Sequence, residues 1–158
     1  MLERLYNILH YMIYDCNTEY ISVSKEINIL LDYINLEKER YGNRLSLTIH
    51  QTGEFKKALI APLLLQPFVE NAFKHGVAKS VSSTQVDIFF EAIDGFLHFT
   101  ISNSIINNNS FNITMGIGIE NIRSRLNILF PDRHVLEINQ TENMFKVKMV
   151  IPLKYHEK

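Results

Sequence analysis

Leu63-Leu64-Leu65-Gln66-Pro67-Phe68-Val69-Glu70-Asn71-Ala72-Phe73-Lys74-His75-Gly76 is mostly apolar, yet its second half holds a carboxylate, an amide, a cation and an imidazole. As a helix it puts Asn71, Lys74 and His75 on one face, at i, i+3 and i+4, with Glu70 about 100° round the same turn. An amphipathic helix normally spreads its polar residues along a solvent stripe. Here they gather at the C-terminal end, ahead of Gly76, which reads as a helix stop. A carboxylate, an amide oxygen and two potential cations grouped in this way suit Mg²⁺ and a polyphosphate.

Upstream, Pro62 suits the first turn of this helix, and Pro67 either kinks it or marks where its regular part begins. Residues 2–14 predict a helix from Leu2, Leu5, Leu9 and Met12, with Ile8 and Ile13 beside them. A second helix starts near Ser24, read as its N-cap, shows Ile27, Leu30, Leu31 and Ile34, and ends at Gly42-Asn43. Leu45, Leu47 and Ile49 alternate with polar residues as a strand does, and 51–57 reads as a polar turn.

Downstream, 84–91 and 96–102 read as a strand pair around Asp94-Gly95, a strong hairpin signal. Residues 104–115 are Asn-rich and of low complexity, which predicts no regular element. A helix follows from Gly118 to Phe130, stopped by Pro131-Asp132, and two alternating strands close the chain around Glu142-Asn143. Hairpin-joined strands with interspersed helices predict an α+β two-layer sandwich, a mixed sheet with helices on one face, behind a helical lead-in.

The 158 residues suffice for one domain with a helical appendage. A formal net charge of −1 gives no clustered basic surface for direct nucleic-acid contact; Lys146 and Lys148 read as a solvated edge strand. The single cysteine, Cys16, excludes an intramolecular disulfide and a cysteine-built zinc site. No apolar run is long enough to span a bilayer.

The quoted stretch resembles the N box of the GHKL (Bergerat) ATP-binding fold, in the form found in LytS-like sensor histidine kinases. Gly116-Ile117-Gly118-Ile119-Glu120-Asn121-Ile122-Arg123-Ser124-Arg125-Leu126 is similar to that family's glycine box and the helix after it. With the flanking segments, the resemblance covers nearly the whole chain. It implies ATP and Mg²⁺ as cofactors, with Asn71 as the metal ligand, and Lys74, His75, Asn103, Gly116, Gly118 and Asn121 about the nucleotide. Glu70 and Lys74 are then the catalytic candidates: Glu70 as an acid or base, as the holder of a metal-bound water, or simply as the i+4 partner of Lys74. His75 offers phosphate contact or a structural role.

Two positions depart from the wider superfamily. Pro67 stands where its ATPases carry the general-base Glu, which counts against an autonomous ATPase. Asn103, in Ile101-Ser102-Asn103-Ser104, stands where an Asp usually binds the adenine amine, and it can still accept that hydrogen bond. Residues 104–115 take the place of the ATP lid.

The resemblance therefore implies a protein histidine kinase domain, passing the γ-phosphoryl of ATP to a His outside this chain and thence to a response regulator, one of LytTR type. None of the six histidines stands in the family's Pro-His-Phe setting. Residues 1–41 are expected to be the tail of the dimerisation and phospho-acceptor region, and 42–158 the ATP-binding domain. The expected setting is the cytoplasmic part of a membrane protein, homodimeric at full length, whose membrane segments lie upstream. The alternative is a GHKL nucleotide-binding switch or ATPase without kinase activity.

Overall fold

The computed structural model describes residues 2–77, 83–105 and 117–155; of His75 and Ile117 only the backbone is described. Helix α1 spans Leu2–Ile13 and helix α2 Val23–Tyr41. They form an antiparallel-style pair tied by Arg4–Glu39 and by Asn7 Nδ2 donating to Asp32 Oδ2 at 3.1 Å. Ile8 and Tyr11 are the buried residues of α1, whereas Leu2, Leu5 and Leu9 lie open. The apolar repeat that predicts α1 is thus largely an outward stripe.

The start of α2 corrects the expectation of a cap at Ser24. Ser22 is the N-cap, its hydroxyl accepting from the Lys25 amide at 3.2 Å. Ile21–Ser22 is a short strand, β1, which keeps Ser22 extended and so poises it to cap. At the far end Gly42 takes φ 54°, a conformation that glycine adopts without cost, and its amide returns to the Lys38 carbonyl.

The main sheet has five strands: β2 (Leu45–Thr52), β4 (Thr84–Ile93), β5 (Phe96–Ser104), β6 (Val135–Gln140) and β7 (Met144–Pro152), in the order β2-β4-β5-β7-β6. Only β2 and β4 are parallel. The predicted Asp94-Gly95 hairpin is present, with positive φ at both residues. β2 runs on to Thr52, beyond the expected turn at residue 51, because it pairs with β4 along its whole length.

Three short strands escape the periodicity argument: β1, β3 (Ala58–Ile60) and β8 (Lys154–Tyr155) form a second sheet in the order β1-β3-β8. Two or three residues are too few to show a period of two. A further correction concerns Lys146 and Lys148. They lie on β7, an inner strand between β5 and β6, and are exposed because one face of the sheet is open.

The other face carries the core. Val86, Ile88, Phe90, Phe99, Val147 and Met149 meet Phe68, Val69 and Phe73 of helix α3 (Gln66–Asn71) with its continuation, and Ile122 and Leu126 of helix α4 (Ile117–Leu129). Ile27, Leu30 and Ile34 of α2 belong to the same core. Burying each such side chain contributes roughly 1.5–3 kcal/mol. The molecule is an α+β sandwich with a mixed sheet, as its sequence predicts.

Candidate functional site

Helix α3 begins at Gln66 with Pro67 in its first turn, where a missing amide costs nothing. Pro62 is therefore not in the helix; it stands in the turn before it. After Asn71 the helix does not stop. It widens into a π-helix over Ala72–Val77, which runs straight through Gly76. The i→i+5 bonding of a π turn adds residues to each turn, so the α-helical spacing that groups Asn71, Lys74 and His75 no longer holds beyond Ala72. Asn71 is half-buried, and Glu70 and Lys74 are exposed.

Glu70 takes its partner from one turn earlier. Gln66 Nε2 donates to Glu70 Oε1 at 2.7 Å, and the i+4 pairing with Lys74 is absent among the described ion pairs. Gln66 Oε1 is buried without a hydrogen-bond partner among the described residues. An open buried acceptor costs roughly 1–3 kcal/mol.

Gly76 has a packing reason to be glycine. A Cβ there would lie 2.5 Å from Asn103 Nδ2 and 3.0 Å from its Cγ. Asn103, on β5, is 3% exposed and donates from Nδ2 to the Ser104 carbonyl at 3.1 Å. From the other side, a Cβ on Gly118 would touch Pro67 Cβ at 3.6 Å, so the first turn of α4 lies over the first turn of α3. Asn121 is exposed on α4. Gly116, and the segment expected to be the lid beyond Ile105, lie outside the described residues.

One part of this neighbourhood has no signature in the sequence. Glu26 of α2 is 1% exposed. Its carboxyl accepts from the Tyr11 hydroxyl, from the Leu63 amide at 3.2 Å and from the Leu65 amide at 3.5 Å. Leu63 itself has φ 59°, uncommon for a bulky residue. Arg125 Nη1 of α4 donates to the Pro62 carbonyl of the same turn at 2.7 Å. Burial pushes the Glu26 carboxyl above the usual range, opposed by its three donors and by the Arg125 guanidinium. Burial, then the neighbouring Glu26, raises the Tyr11 phenol likewise. Only a lone Glu within the apolar stripe of α2 could have signalled this, and a Glu at one turn of an amphipathic helix usually faces solvent.

The donors present fit Mg²⁺. That ion keeps most of its waters and takes one or two protein oxygens alongside phosphate. The part-open Asn71 amide and the neighbouring Glu70 carboxylate match this need, and no cluster of three His, Cys, Asp or Glu side chains forms a protein-only cage among the described residues. A separate cleft of about 850 Å³ lies between Asp15, Tyr20, Lys25 and Lys154. None of the sequence-predicted site residues lines it.

Among the described residues, no helix is long and apolar enough to cross a membrane. Residues 1–45 match the family model described as histidine kinase. The chain is 25% identical over 146 residues to the sensor protein LytS of Staphylococcus epidermidis, covering 85% of this chain and 25% of that protein. It is 26% identical over 153 residues to LytS of Bacillus anthracis, covering 87% of this chain and 26% of that protein. It thus spans about a quarter of the length of these relatives. Among solved structures, the catalytic domain of histidine kinase ThkA superposes with a TM-score of 0.61 at 13% identity, over 84% of this chain and 94% of that one. Full-length ShkA, solved with AMPPNP, gives 0.61 at 15% identity over 99% of this chain and 36% of that one. The motif blocks, the fold and these relatives together make the chain similar to the LytS-like sensor histidine kinases, with the fold of histidine kinase catalytic domains.

Proposed function

We propose that this chain binds ATP with Mg²⁺ and serves as the catalytic domain of a two-component sensor histidine kinase. The observation that carries the reading is the convergence of three sequence blocks. Gly76, closing the α3 segment, receives Asn103 of β5, and Gly118 at the head of α4 abuts Pro67. Residues 67, 76, 103 and 118, dispersed in the sequence, are thereby brought together along α3 and its continuation.

In this reading Asn71 holds the metal through its amide oxygen. Lys74 lends positive charge to the phosphates, His75 and Asn121 border the nucleotide, and Asn103 faces the adenine amine. The start of α4, with Gly118, supplies amide donors and the favourable end of a helix dipole, and Gly116 is assigned to the nucleotide as well. Glu70, held by Gln66, orients the accepting group or a metal-bound water. Mg²⁺ held by Asn71 would supply charge neutralisation at the phosphates.

The acceptor is a histidine outside this chain, and the phosphoryl passes on to a response regulator, one of LytTR type. Residues 1–41 act as the end of the dimerisation region and 42–158 as the ATP-binding part. The open stripe of Leu2, Leu5 and Leu9 supports pairing of α1 within a full-length homodimer. The intact protein is read as membrane-anchored, with this region on the cytoplasmic side.

Calorimetric titration of a non-hydrolysable ATP analogue, with and without Mg²⁺, tests the reading. Binding that needs Mg²⁺ and is lost in Asn71→Ala is expected. Absence of binding to the unsubstituted chain would sink it. Steady ATP turnover without an acceptor would favour an ATPase instead.

A further inference from the structure

Helix α3 has no side-chain cap of its own: Leu65, at its N-cap, has none to offer. The acceptor is supplied from elsewhere. Glu26 reaches from α2 to the amides of Leu63 and Leu65, two residues that lead directly into α3. A carboxyl at this end of a helix also meets the positive end of its dipole. The turn it grips is strained at Leu63, and strained backbone persists only where its surroundings enforce it. The same turn is also held by Arg125 of α4 through the Pro62 carbonyl. Tyr11 of α1 completes the chain of contacts by donating to Glu26.

We propose that Glu26 is a positioning residue for the nucleotide site, latching the turn that launches α3 so that the attitude of α1 and α2 sets the placement of Glu70 and Asn71. The inference rests on the nucleotide reading given above and adds its regulation. Side chains of two helices meet at one backbone turn, α2 with an acceptor and α4 with a donor. A shift of α1 reaches the turn through the Tyr11 hydroxyl. A shift of α4 reaches it through Arg125. Displacement at either end thus changes the start of α3 without any residue touching the nucleotide. A packing role alone would need only the buried volume of Glu26, not its oxygens.

The test measures analogue affinity with Mg²⁺ and amide hydrogen exchange on the 158-residue chain and on Glu26→Gln and Tyr11→Phe. In the unsubstituted chain, bound analogue is expected to slow exchange at Leu63 and Leu65, as reciprocal coupling requires. Tyr11→Phe should accelerate exchange at both amides and weaken binding by about threefold, and Glu26→Gln by about tenfold, with cooperative melting retained. Unchanged affinity and unchanged exchange in a folded variant would overturn the proposal. Tyr11→Phe decides the matter if Glu26→Gln does not fold. Failure of the nucleotide reading shows itself separately, as no binding by the unsubstituted chain, and removes this inference with it.

Discussion

Asn103 occupies the space that a Cβ on Gly76 would need, its Nδ2 lying 2.5 Å from that position. Two residues far apart in sequence are thereby fitted to each other at the border of the candidate site. Gly76→Ala must displace Asn103 and should cost about 1–3 kcal/mol, the range typical of overpacking. If the contact is the cause, adding Asn103→Ala recovers part of that loss. Denaturant titration of the single and double variants checks it, with a coupling of about 0.5–3 kcal/mol expected. Strictly additive variants would locate the cost elsewhere.

Gly53 poses a harsher constraint. It has φ 100°, and a Cβ there would lie 2.2 Å from the Ala92 carbonyl oxygen. The obstacle is backbone within the main sheet, which cannot swing aside. Gly53→Ala is expected to lower stability by more than about 2 kcal/mol, through strain and clash together. Thermal melting of the two proteins decides it; a shift within error would contradict the placement of Gly53.

Lys74 is exposed, and among the described ion pairs it has no partner. Its removal should leave stability within about 0.5 kcal/mol. Analogue affinity should nevertheless fall, most visibly at low salt where charge is least screened. Lys74→Met titrated at two ionic strengths measures this, and an affinity equal to the unsubstituted chain's would remove Lys74 from the site.

Two carboxyls should bend the stability curve in opposite directions. Glu26 is raised in the folded state by burial. Its folded form resists ionisation, so stability is greatest below the unfolded value of 4.5 and declines as pH rises through the folded pKa. Asp15 is lowered, chiefly by a hydrogen bond from Lys25 at 2.9 Å. Its contribution is present above 3.8 and is lost as pH falls through the folded pKa. Because Asp15 lies at the surface, that second effect is small. Denaturant midpoints from about pH 3 to about pH 8 should show Glu26→Gln flattening the decline at higher pH. An unchanged slope would argue against a raised Glu26.

The long, strongly patterned elements were legible in the chain. β5, β7 and the Asp94-Gly95 hairpin announce themselves because burial on one sheet face imposes a period of two over nine-residue strands. The N-box residues were legible because their chemical types cluster within one short segment. The π turn was not, since Ala72, Phe73 and Lys74 are compatible with an ordinary helix. The Ser22 cap was displaced by two residues because strand β1, too short to carry a pattern, decides where α2 can begin.

By itself, the sequence determined the α+β class, the order of the main elements and the identity of the polar residues on the N-box segment. These depend on local periodicity and residue type, which neighbours along the chain are enough to express. Only the tertiary structure decided that Gly76 makes room for Asn103, that Glu70 is held by Gln66, and that Glu26 and Arg125 both grip one strained turn. Packing contacts and buried hydrogen bonds are settled by which surfaces the fold brings together, and residues 37 and 63 positions apart carry no local sign of meeting.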